Sequence, residues 1–163
     1  MIYLVDLESI EKRYTKQWAE WFKQYCIDNN IEHTIISVTQ REFKTGQFLD
    51  INRTNIYKAE QVINISLLFD EGKVKDGDTF FFYDGWHFGV TATKYMADLQ
   101  GIGVKIMSYW HAGSYDPWDF ISLKNTSVWA SHQENSWFQI NDKILVATQF
   151  HKDLILNERE CDP

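Results

Sequence analysis

The segment Tyr109-Trp110-His111-Ala112-Gly113-Ser114-Tyr115-Asp116-Pro117-Trp118-Asp119-Phe120 holds the chain's densest set of reactive and binding side chains. A neutral imidazole at His111 can hydrogen-bond a hydroxyl or take its proton near pH 7. The bland alternative is that it bonds to backbone and fixes the loop. Asp116 precedes Pro117, a usual turn opening, so it either shapes the turn or accepts from a substrate hydroxyl. Tyr115 counts with it as a substrate-binding residue. Asp119 reads better as a cap. A second group is Asp84-Gly85-Trp86-His87. Asp84 suits a polyol or its own Asx turn, and the rings of Trp86 and His87 suit stacking on a ligand. Arg13 stands near the start of a helix, where a cation opposes the dipole, and that points to an anionic partner. No Cys-x-x-Cys, Walker loop, Gly-x-Ser-x-Gly or His-x-x-x-His spacing occurs, so no metal ligand is assigned.

These groups need elements to present them. Short apolar runs read as strands at Ile2–Val5, Thr34–Val38, Thr79–Tyr83, Val104–Ser108 and Lys143–Thr148. Helical patterns fall at 10–29, 54–71, 90–100, 127–141 and 149–156. The first has the stripe Ile10, Tyr14, Trp18, Phe22, Cys26. The second has Thr54 as its expected N-cap and Ile56, Ala59, Val62, Ile63, Leu67 and Leu68 as its apolar positions. Strict alternation of strand and helix implies a mainly parallel sheet with helices on both faces. Polar loops then follow the strands at Asp6, Asp84–His87, His111–Asp119 and Thr148–His151, all on one edge, where α/β sheets take ligands. Residues 39–53 read as a polar lip beside that edge.

With 163 residues, 44% of them apolar and 16% aromatic, the chain suits one folded domain. Its net charge of −7 disfavours broad binding to nucleic acid or anionic membrane. Two cysteines make no disulfide framework. No apolar run approaches the roughly 20 residues that span a bilayer, and the first residues are not a signal peptide. The expectation is a soluble, cytoplasmic chain with no membrane partner.

Three segments carry a resemblance. They are Leu7 to Trp18 after the first strand, Tyr109 to Asp116 after the fourth, and Asp142 to Leu154 around the fifth. Together they resemble the N-terminal half of GT-B glycosyltransferases, most of all those of tailed bacteriophages. The resemblance implies an α/β, Rossmann-like three-layer sandwich over 1–156, with 157–163 as a tail toward an absent C-terminal donor-binding domain. It implies that the full enzyme moves a sugar from a nucleotide-sugar to a hydroxyl, with hydroxymethylated phage DNA as one acceptor, in the host cytoplasm. His111 would lie in the cleft near the reacting sugar and Arg13 near the donor's phosphates. The half present would hold no cofactor of its own and would be nearly inactive alone. The rival expectation is a non-catalytic Rossmann-like module that binds a nucleotide, a sugar or a protein.

Overall fold

A computed structural model describes residues 1–8, 14–39, 50–124 and 126–159. Five strands form one all-parallel sheet: β1 Ile2–Val5, β2 His33–Ile36, β3 Thr79–Phe82, β4 Lys105–Trp110 and β5 Lys143–Val146. The helices are α1 Tyr14–Asp28, α2 Ile51–Asp70, α3 Gly89–Gln100, α4 Phe120–Leu123, α5 Ser127–Ile140 and α6 Gln149–Glu158. The strand order is β2-β1-β3-β4-β5. The order reverses between β1 and β3, which makes that gap the switch point where a doubly wound sheet opens a crevice at its carboxyl edge.

The central strands β1 and β3 are buried on both faces because they are apolar at nearly every position, while β5 is only half-buried. Tyr3, Val5, Phe80, Phe82, Ile106 and Trp110 point to one face and pack with residues of α2, α3 and α5 such as Ile65, Ala97 and Phe138. Leu4, Phe81 and Tyr83 point to the other, where α1 covers them with Phe22 and Cys26. Helix α6 does not share that second cluster. Its Leu154 and Ile155 join the α5 side. It also runs on to Glu158, two residues past the expected domain limit.

Three sequence expectations change. Strand β4 extends through Tyr109 and Trp110, so the aromatic pair belongs to the strand and the loop begins at His111. Helix α2 is capped by Asp50, whose side chain accepts from Arg53 N, rather than by Thr54. Its buried face is Thr54, Tyr57, Lys58, Gln61, Ile65 and Phe69, while Ile56, Ile63 and Leu67 face solvent. Leu68 of the expected apolar positions does pack on the core, but the first half of α2 lies against polar strand ends, which satisfy hydroxyl, ammonium and amide groups better than an apolar layer would. Residues 40–49 of the expected lip lie outside the described residues.

Candidate functional site

The side chains around the switch point come from the ends of β1 and β3 and from the buried face of α2. Asp6 follows β1. Its Oδ1 accepts from the Tyr57 hydroxyl at 2.6 Å and from Gln61 Nε2 at 2.9 Å. Burial raises the Asp6 carboxyl to about 6, against the opposing bonds from Tyr57, Ser37 and Gln61. The Tyr57 phenol is raised as well, by burial and by the neighbouring Asp6. Two residues on, Glu8 is 5% exposed. Its Oε1 accepts from the Thr54 hydroxyl at 2.8 Å, and its Oε2 is buried with no hydrogen-bond partner among the described residues. A groove of about 620 Å³ opens between the end of β2 and α2, lined by Ser37, Val38, Thr39, Arg53, Glu60 and Asn64 among others, and Ser37 also bonds Asp6.

Asp84 closes the β3 side. Lys58 Nζ donates to its Oδ2 at 2.7 Å and also to the Trp86 carbonyl. Burial pushes the Asp84 carboxyl up, but the Lys58 ammonium and His111 outweigh it and hold it below its usual value. His111 Nε2 donates to the Tyr83 carbonyl at 2.8 Å. The imidazole sits edgewise to Trp18 and beside Tyr109, with ring centroids 5.2 Å and 4.8 Å away. The structure thus brings His111 and Asp84 to adjacent strand ends.

Of the other expected ligand contacts, His87 and Tyr115 are buried, while Trp86 and Asp116 are half-buried. His87 is buried, its Nδ1 accepting from Gly89 N and its Nε2 donating to Gln61 Oε1. Burial, with the Lys58 ammonium, pushes His87 down to about 3. It is a neutral post that orients Gln61 toward Asp6 and has no ring face left for a ligand. Trp86 lies edge to Trp129 and Trp137, and its Nε1 donates to Glu134 at 2.9 Å. Tyr115 is buried and shares a 2.6 Å hydrogen bond with His151 Nε2. Asp116 accepts from Trp118 N at 2.9 Å, the Asx turn that Pro117 suggested. Arg13 lies outside the described residues.

A second polar centre was not anticipated. Glu134 is fully buried on α5 and accepts from Trp86 Nε1, Ser114 N, Ser114 Oγ and Arg159 Nε. Arg159 also donates to Ser114 Oγ and lies over the Tyr115 ring. This pair fastens the end of α6 to the carboxyl edge. Gly113 leaves room for it, and Gly85 leaves room for the Trp110 ring. A Cβ at Gly113 would stand 2.3 Å from the Tyr115 ring, and one at Gly85 would stand 2.2 Å from the Trp110 indole.

Lys58 and Gln61 were legible as polar residues at helical spacing from Thr54 on α2, a pattern that marks a buried polar face once the apolar one is distrusted. Arg159 carried no signal. Among the described residues no group of three or more His, Cys, Asp or Glu could hold a metal ion, and no helix is long and apolar enough to cross a membrane. No protein-family model, curated protein or solved structure matches the chain.

Proposed function

We propose that the chain binds a hydroxyl-bearing ligand, a sugar or nucleoside, in the crevice between the carboxyl ends of β1 and β3. The observation that carries this is the Glu8 carboxylate. A buried carboxylate oxygen that lacks a donor is costly, and a donor that fills it removes the cost. A ligand hydroxyl that reaches Oε2, which is closed to solvent in this structure, would supply that donor. Among the described residues the charge balance supports the same class: Asp6, Glu8, Glu60 and Asp84 outnumber Lys58 and Arg53, so phosphate is disfavoured at this end of the ligand.

The resemblance gives a finer form, the acceptor side of a glycosyltransferase. The acceptor hydroxyl would donate to the crevice carboxylates, and His111 would take its proton. The donor's phosphates would fall to a domain outside these residues, with the nucleotide-sugar bound there. Transfer needs both reactants held in one cleft, so the chain alone would bind acceptor without turning it over. The non-catalytic module is the second reading. The internal bonding of Trp86, His87, Tyr115 and Asp116 favours it, because those groups shape the edge without facing a reacting atom.

A thermal-shift panel tests the proposal, using free sugars, nucleosides, nucleotide-sugars and hydroxymethylated oligonucleotides on the wild type, Glu8→Met and His111→Ala. A ligand at 100 times its Kd stabilises by about 2.7 kcal/mol, which raises Tm by roughly 5–10 °C in a chain of this size. The expected result is a rise in Tm with a hydroxyl-bearing class that Glu8→Met abolishes. Loss of the rise in His111→Ala as well favours the transferase form. A rise confined to phosphate-bearing ligands, or one that Glu8→Met leaves intact, refutes the proposal.

A further inference from the structure

In a parallel sheet the helices that follow β3, β4 and β5 all begin at the carboxyl edge. Phe88 precedes α3, Trp118 and Leu123 lie between β4 and α5, Val128 and Trp129 are in the first turn of α5, and Phe150 is in the first turn of α6. The topology therefore sets all six at one end of the molecule, over β3–β5. They are also exposed: Trp118 is 84%, Phe150 77% and Val128 74% accessible, with the other three at 42% or more. The segments that carry them are bonded to one another. Trp129 touches Trp86, Ser122 Oγ donates to the Ser114 carbonyl, and Tyr115 bonds His151.

Large aromatic side chains offer about 150–250 Å² each, so Phe88, Trp118, Trp129 and Phe150 at their observed exposures present roughly 400–650 Å², and Leu123 and Val128 add to it. A monomer's largest apolar patch is usually about 300–600 Å². A standard interface takes about 800 Å² from each partner. The charges at this end are of both signs: Asp116, Asp119 and Asp153 against Lys124 and Lys152. A two-fold pairing lets each sign meet its opposite despite the net charge of −7.

We infer that the chain forms a two-fold dimer through this end, the aromatic rim of one copy packing on that of a second. Rigid aromatic anchors at the centre of such a contact carry most of its energy. Interfaces of this size span micromolar to picomolar affinity, so the dimer is populated at about 100 µM chain.

Light scattering after gel filtration tests this directly. The wild type is expected at twice the 19.3 kDa chain mass. The double variant Trp118→Glu, Phe150→Glu is expected at the chain mass with an unchanged circular dichroism spectrum, because both side chains are solvent-facing. Trp21 and Tyr25 form a separate exposed pair on α1. The variant Trp21→Glu, Tyr25→Glu is expected to stay dimeric. A wild type at the chain mass overturns the inference. So does dissociation by the α1 variant, or persistence of the dimer in the edge variant.

Discussion

Replacing Asp6 by Asn should make the protein more stable at neutral pH and leave it nearly unchanged at pH 3.5. Burial raises the Asp6 carboxyl from 3.8 to about 6, so the folded protein holds this proton more tightly than the unfolded chain does. Stability from this group is therefore full at low pH and is lost as pH rises from about 4 through 6. At ~1.4 kcal/mol for each pH unit between those two values, the loss comes to about 3 kcal/mol. Asn does not titrate, and its Oδ1 can still accept from Tyr57 and Gln61. The wild-type curve alone would hide the effect. His87, held down to about 3, contributes stability that is lost as pH falls from 6.5, the opposite slope in the same window. The difference between variant and wild type isolates Asp6. Urea unfolding of both proteins at each pH from 3.5 to 8 should give a gap that opens between about pH 4 and 6 and levels off near ~3 kcal/mol. A gap independent of pH, or an Asn variant less stable at pH 7, refutes the reasoning.

Arg159→Ala leaves Glu134 buried with its charge uncompensated, so stability should fall by about 3–5 kcal/mol; thermal unfolding should show a Tm lower by roughly 6–20 °C. Gly85→Ala places a methyl group inside the Trp110 indole and should cost about 1–3 kcal/mol, read by urea unfolding together with a changed near-ultraviolet spectrum. A free-energy loss under half a kilocalorie per mole in either variant would contradict the packing described here.

The alternation of strands and helices carried the fold. Five apolar runs with helical patterns between them leave little besides a parallel doubly wound sheet, and the five observed strands lie on those runs. What periodicity did not give was which face of α2 is inward. Ile56, Ile63 and Leu67 looked like the buried stripe, but the sheet edge offers carboxylates there, and Thr54, Lys58 and Gln61 satisfy them. Burial of polar groups follows pairing between distant segments, which a local window cannot see. The same holds for Glu134 and Arg159, 25 residues apart and joined only in the folded chain. Asp84 and His111 were legible as polar groups just past apolar strands, and the parallel order of β3 and β4 sets them side by side. His87 and Tyr115 had the same local look. The tight turn after β3 and the approach of α6 drew them inward.

The most direct test of the crevice is a nitrogen–proton chemical-shift map of the labelled protein, titrated with the best ligand from the thermal-shift panel. The account predicts that the amides of Asp6, Leu7, Glu8, Thr54 and Asp84 move together and saturate with one Kd. It also predicts that Glu8→Met weakens that Kd by roughly 10–100-fold, the worth of one hydrogen bond to a charged group. Shifts confined to other parts of the chain, or an affinity unchanged in Glu8→Met, would contradict it.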